Sequence, residues 1–283
     1  MQTEGQCYGL MEFRLGNSEA TCFVDGDTSE WTEEDIVAET SEGTLSMQYD
    51  EKYLYFYFEG MNYTPETDTL YIPLDTTPQS GSTYCLNYNM TFDRACDFVL
   101  YIHGKNNSRI MVQERYEILW AMHAYETDRT DPYDEIRDVD SPLFKTVRLM
   151  IQQADPAPLG VWDAAETYET GHLRYGNGNP DSVEYDSLAD FCFTENGVEI
   201  RIPWQLLNFA SPAEMMIHDD YYDNYGVEYI HADMLYVGAA LGNDRDQRLI
   251  LIPFYLEGWY DVSEYVERLK KSYYIVQDCW AIQ

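Results

Sequence analysis

Carboxylates dominate the chemistry this chain could do, with 51 Asp and Glu against 17 Lys and Arg. Two groups have the close spacing that a hard cation asks of its oxygen ligands. Asp25 and Asp27 flank a glycine, and Asp219, Asp220 and Asp223 cluster ahead of Glu228. Neither follows the pattern of an EF-hand loop. Each is read either as a structural Ca2+ site or as a solvated acidic loop. Paired carboxylates also hydrolyse glycosides when held at a defined separation, but so many acids make chance pairs inevitable. His103, His123, His172, His218 and His231 form no H-E-x-x-H motif, and no serine sits in a G-x-S-x-G elbow. Cys7, Cys22, Cys85, Cys96, Cys192 and Cys279 show no C-x-x-C spacing, which argues against zinc and thioredoxin-like chemistry. Cys85 and Cys96 would pair if they faced each other across a hairpin; buried free thiols are the other reading. No glycine loop is followed by Gly-Lys-Ser/Thr, so phosphate cradling is excluded. Catalysis has little support, and the one cofactor left open is structural Ca2+.

Binding is better served than catalysis. Sugar recognition needs an apolar platform with donors and acceptors at its edge. Trp162 and Tyr175 fall in an irregular stretch, where binding groups tend to sit on loops carried by a rigid scaffold. Arg174, Asn177, Asn179 and Asp186 could form the polar rim beside Tyr175. The alternatives are a satellite core under a long loop for the rings and a plain turn for Asn177-Gly178-Asn179-Pro180.

The net charge of −34 excludes nucleic acid as a partner, because binding a polyanion relies on Lys and Arg displacing counterions. It disfavours an anionic membrane surface as well. No apolar run approaches the length of a membrane span. Neutral sugars, cations and basic surfaces are left. The first residues, Met1 to Cys7, lack the regions of a signal peptide. The expectation is therefore a segment of a longer exported or cell-surface chain, attached to further domains, or else a cytoplasmic protein.

The elements that must position these residues are strands. Leu45, Met47 and Tyr49 alternate, then Leu54, Phe56 and Phe58 face one way, with Tyr53, Tyr55 and Tyr57 the other. Leu70, Ile72 and Leu74 follow, then Phe98, Leu100 and Ile102, then Ile110 and Val112. Between residues 117 and 187 the alternation breaks down, and the stretch reads as a long mixed insertion. Within it, Ser141-Pro142 resembles a helix cap ahead of Leu143, Phe144, Val147, Met150 and Ile151 at helical spacing, with a strand as the competing assignment. Alternation returns at Phe191 and Phe193 and, after the Asn196-Gly197 turn, at Val198, Ile200 and Ile202. Val262, Tyr265, Val266, Leu269, Tyr273 and Val276 share one helical face over 261–280. The expected fold is all-β: one antiparallel β-sandwich of jelly-roll or immunoglobulin-like form over 1–283, with the insertion and a C-terminal helix.

Two phrases carry a resemblance. The run Asp25-Gly26-Asp27 leading to Trp31, followed by Asp50 and the strand Tyr53-Leu54-Tyr55, resembles the opening of family-9 carbohydrate-binding modules and their DOMON-like relatives. The phrase Glu199-Ile200-Arg201-Ile202-Pro203-Trp204 resembles a strand in that family's second half. The resemblance implies a twisted sandwich that binds polysaccharide ends through stacked aromatics, often with structural calcium. The matching positions are ones that mainly build the family's fold. Trp31 and Trp204 are accordingly read as core anchors rather than sugar platforms. The family's paired binding tryptophans have no counterpart here, the insertion is foreign to it, and no motif selects a Met and His pair for haem. The expected function is a non-catalytic carbohydrate-binding module of a larger bacterial surface or polysaccharide-processing protein. A structural or protein-interaction module of an envelope or exopolysaccharide assembly is the second reading, and a glycoside-active enzyme using insertion carboxylates the third.

Overall fold

Period-two alternation of apolar side chains forces strands whose inner faces must be buried together. A computed structural model describes residues 22–117, 140–152, 155–156, 162–163, 166–219, 228–242 and 248–259, all within the compact unit Ala20–Trp259. The C-terminal helix expected over 261–280 lies outside the described residues. The first eight strands are β1 (Ile36–Glu39), β2 (Gly43–Tyr49), β3 (Tyr53–Gly60), β4 (Thr69–Asp75), β5 (Ser82–Cys85), β6 (Met90–Cys96), β7 (Phe98–His103) and β8 (Arg109–Gln113). The insertion contributes β9 (Phe144–Thr146), β10 (Arg148–Gln152), β11 (Asp155–Pro156), β12 (Trp162–Asp163) and β13 (Glu166–Glu169). There follow β14 (Phe191–Phe193), β15 (Gly197–Pro203), β16 (Phe209–Ser211), β17 (Met216–His218) and β18 (Tyr229–His231). The last are β19 (Met234–Val237), β20 (Ala240–Leu241), β21 (Arg248–Leu249) and β22 (Ile252–Tyr255).

Two antiparallel sheets face each other. The first runs β1-β2-β3-β15-β14 and the second β22-β19-β4-β7-β8-β9, with β20 also on β4. In the first sheet Phe58, Phe56 and Leu54 stand opposite Val198, Ile200 and Ile202. These six residues share one buried cluster with Leu70, Ile72 and Leu74 of β4 and Phe98, Leu100 and Ile102 of β7. The core thus joins the two halves of the chain, as the alternation requires. The fold is all-β and sandwich-like; the described helical segments are a single turn at Gly104–Asn107 and four short 3-10 turns.

The outward faces are covered as well. Tyr71, Val99, Met111 and Phe144 point away from the main core and pack with Cys85, Met90, Phe92 and Cys96 of a small sheet ordered β21-β6-β5. Cys22, Cys85, Cys96 and Cys192 are buried free thiols, so no Cys85–Cys96 disulfide forms. Cys96 stands opposite Ser82, and Cys85 opposite Met90.

The helical assignment after Ser141 is corrected. Phe144 enters the second core from β9, while Leu149 and Ile151 of β10 are exposed. Apolar residues at 144, 147 and 151 fit a helical period, but they form no shared stripe: Phe144 packs in the second core, Val147 against the main core, and Ile151 is exposed. Ser141 caps no helix. Its carbonyl accepts from Gln113 Nε2 at 3.0 Å, and its hydroxyl donates to Glu114 at 3.1 Å.

Phe56 is fully buried, with Ile200 on one side and Met47 on the other in the sheet. Phe56→Ala is expected to destabilise the fold by about 3–5 kcal/mol, the cost of an unfilled aromatic site. Urea unfolding would show this as a lowered midpoint at unchanged slope.

Candidate functional site

Side chains alternate across a strand, so the residues between Val198, Ile200 and Ile202 point to the outer face of the first sheet. There β15 places Glu199 and Arg201, and both are buried. A buried charge is costly unless hydrogen bonds compensate it. Glu199 Oε2 accepts the backbone N–H groups of Asp25 at 3.1 Å and Gly26 at 2.7 Å. Its Oε1 accepts the indole N–H of Trp31 at 2.9 Å. Two consecutive backbone donors can aim at one oxygen because Gly26 has φ +88°, a left-handed conformation that favours glycine. Arg201 donates Nε to the Ala189 carbonyl at 2.7 Å and Nη2 to the Ser187 carbonyl at 3.1 Å, and it lies over the Tyr53 ring.

A second fastening lies at the far end of the same two strands. The Trp204 indole N–H donates to the Asp50 carbonyl at 2.9 Å. The Asp50 carboxylate accepts from Lys52 N at 2.7 Å, Tyr53 N at 2.8 Å and the Tyr55 hydroxyl at 2.9 Å, closing the turn between β2 and β3. Trp204 is wholly buried, whereas Trp31 is half-buried with its ring 5.6 Å from Tyr57. Tyr55 and Tyr57 are themselves buried, so the face carrying them is closed by the segment from Cys22 to Trp31.

The candidate ligand residues meet this segment from the other side. Asn179 Nδ2 donates to Asp25 Oδ2 at 2.7 Å, Asn177 Nδ2 reaches the Asp25 carbonyl at 3.4 Å, and Gly178 N donates to the Val24 carbonyl at 2.8 Å. A Cβ on Gly178 would lie 2.8 Å from Val24 Cγ2, so the close approach requires glycine. Arg174 pairs with Asp186 at 2.6 Å, its side chain 58% exposed. Tyr175 is half-buried against Phe191 and Phe193, with the Lys105 ammonium 4.5 Å from its ring centre. The structure therefore brings Arg174, Tyr175, Asn177, Asn179 and Asp186 together and engages their polar groups within the fold. Trp162 has its backbone in β12; its side chain lies outside the described residues.

The candidate cation ligands are also engaged. Asp25 Oδ1 accepts from Asp27 N at 2.9 Å, and Asp27 Oδ1 from Ser29 N at 3.0 Å, so the acidic run is a pair of side-chain-closed turns. Asp219 is buried at the end of β17, while Asp220 and Asp223 lie outside the described residues. Among the described residues, Cys22, Glu30 and Glu199 bring ligand-type atoms within 4.8 Å of one another. A thiol with two carboxylates is not the all-oxygen set that calcium takes.

Electrostatics follow burial. Desolvation raises Glu199 to about 7, opposed by its three donors. Burial, followed by the charge of Glu199, holds the Cys22 thiol far above its usual range. Beneath the turn after β4, Asp97 is fully buried and accepts from Thr76 N at 2.6 Å, Thr77 N at 2.9 Å and the hydroxyls of Thr76 and Ser80. Burial still raises it to about 6. Neighbouring Asp75, paired with Arg94 at 2.8 Å, is raised by burial and then by Asp97 to about 7. Glu199 and Asp97 are sealed from solvent, and each fastens a turn by accepting its backbone amides.

The sequence marks Glu199 as a fold-building match, while no motif in it singles out Asp97. The hydroxyls of Thr76, Thr77 and Ser80, ahead of an Asp at the start of a strand, were the available signal for the Asp97 cluster. No helix among the described residues is long and apolar enough to cross a membrane. In comparisons with known protein families, with curated proteins and with solved structures, nothing matches this chain.

Because Glu199, Asp75 and Asp97 titrate higher when folded than unfolded, their stabilising effect is fully present below about pH 4. It is lost as pH rises through about 6–7. The melting temperature is expected to be higher at pH 5 than at pH 8. Glu199→Gln should flatten that slope by up to roughly 3 kcal/mol. An unchanged slope in the variant would contradict the assignment. Trp31→Phe, which keeps the ring and removes the indole N–H, should cost about 1.5–3 kcal/mol, the range for a hydrogen bond to a charged group.

Proposed function

We propose that this chain is a non-catalytic carbohydrate-binding module, part of a larger bacterial surface or polysaccharide-processing protein. The observation that carries the reading is the meeting of the two phrases that resemble family-9-like modules. They lie 168 residues apart along the chain at Trp31 and Glu199, and 154 apart at Asp50 and Trp204. In both places an indole N–H of one phrase is bonded to an oxygen of the other. Chance likenesses in a composition rich in Asp, Tyr and Trp would have no reason to become hydrogen-bond partners twice.

The remaining chemistry is consistent with this reading. The net charge of −34 leaves uncharged glycans as natural partners and disfavours polyanions. The buried carboxyls with shifted titration are locked into turns, which supports binding over hydrolysis. Among the described residues, a structural calcium would find Asp27 Oδ2 open beside the turns that Asp25 Oδ1 and Asp27 Oδ1 close.

One observation favours a second reading, a protein-interaction module of an envelope assembly. Leu149 and Tyr168 face each other across the β10–β13 hairpin, and with Ile151 they are 53%, 64% and 65% exposed, respectively. Grouped exposed apolar side chains are a common mark of protein contact.

A glycan array probed with the intact chain, with and without Ca2+, separates the readings. Retention on neutral polysaccharides without release of reducing ends is the expected result. Silence on every glycan, together with self-association lost in Leu149→Ser/Ile151→Ser, would favour the second reading.

A further inference from the structure

The sandwich has an opening where, among the described residues, each of the two sheets ends in an edge strand. Strand β1 ends the first sheet and β22 ends the second. Between them lies a groove of about 530 Å³, floored by Met47, Gln48 and Tyr49 of β2 and walled by the turn before β1 and by β22. That volume falls within the usual range of about 300–1,000 Å³ for ligand sites.

Its lining combines two chemistries. Tyr49, Phe254 and Tyr255 supply rings, Tyr49 and Phe254 meeting edge-to-face at 6.0 Å. Tyr255 is 71% exposed and thus free to receive a ligand's apolar face. Glu34, Asp35 and Gln48 supply oxygens. Asp35 Oδ2 is engaged by Thr32 N and Oγ1, and Gln48 Nε2 by the Glu30 carbonyl. Among the described residues this leaves Asp35 Oδ1, Gln48 Oε1 and the Glu34 carboxylate as acceptors with no partner. Among the described residues the lining contains no Lys or Arg.

Such a surface distinguishes between sugars. Hydroxyl groups donate to carboxylates, and the C–H face of a pyranose stacks on a tyrosine ring. A uronic acid would bring a carboxylate against Glu34 and Asp35, where the described lining offers no cation to receive it, and like charges at close range reject a partner. Resting on the carbohydrate-binding reading above, we infer that the groove between β1 and β22 is the glycan site, and that it takes neutral oligosaccharides and rejects uronates. The residues around Tyr175 would then serve to hold the Cys22–Trp31 segment in place rather than to touch the sugar.

Calorimetric titration of the intact chain with neutral β-1,4-linked hexaoses of glucose, mannose and xylose, and with hexagalacturonate, tests this. At least one neutral hexaose should bind and hexagalacturonate should not. Tyr255→Ala should weaken the neutral hexaose by about tenfold or more, as expected for losing one stacked apolar face, at an unchanged melting temperature. Glu34→Ala, also at an exposed position, should weaken it several-fold. Neutral binding undiminished in both variants would overturn the groove while leaving the carbohydrate reading intact. Equal binding of hexagalacturonate would overturn the selectivity. Silence with all four sugars, and on a full array, would overturn the carbohydrate reading and the groove with it.

Discussion

A single buried carboxylate holds the outer face of this sandwich together. Glu199 stands in the middle of β15, on the side away from the main core, where an unpaired charge would be untenable. Its three N–H donors all come from the segment that precedes the first sheet. The carboxylate needs that segment to be buried at all, and the segment needs the carboxylate to satisfy a turn whose amides would otherwise face a sheet. The two are stable only together. Once the segment is in place it buries Tyr55 and Tyr57, and its Asp25 becomes the anchor for Asn177 and Asn179. The loop from Arg174 to Asp190 is thereby fixed against β14, where Tyr175 bridges Phe191.

The same logic recurs under the second sheet. Asp97 draws the amides and hydroxyls of the turn after β4 inward, with the Asp75–Arg94 pair beside it and the Arg94 guanidinium stacked over Tyr236. Both clusters raise their acids' affinity for protons, since even three or four donors do not fully replace water. In a chain of net charge −34, interior carboxylates of this kind add to the repulsion already present at neutral pH. Each nonetheless closes a turn by accepting its backbone amides.

The inner architecture was legible because alternation is a local signal. Leu54, Phe56 and Phe58, and Val198, Ile200 and Ile202, could face one core only as strands, and they do. The stretch after Ser141 was ambiguous because Phe144, Val147 and Ile151 fit a helical period while Val147, Leu149 and Ile151 fit a strand's, and long-range pairing of β9 with β8 decides between them. The site was less legible. Trp31, Glu199, Asp50 and Trp204 could be picked out as matching positions, but their bonds cross more than 150 residues, and no local pattern encodes such pairing. Asn177 and Asn179 looked like a polar rim because loop composition cannot show which way an amide faces. The groove at the open edge leaves no trace in the sequence because Glu34, Tyr49 and Tyr255 become neighbours only when two sheets end side by side.

The central claim is that Glu199 fastens the Asp25–Gly26 turn in the native state. Native-state hydrogen exchange resolved at single amides tests it most directly. The Asp25 and Gly26 amides should exchange nearly as slowly as those of Ile200 in β15, opening only with the sheet itself. Exchange of both at the rate of an exposed turn, with Ile200 still protected, would show that the clamp does not hold the segment and would contradict the account.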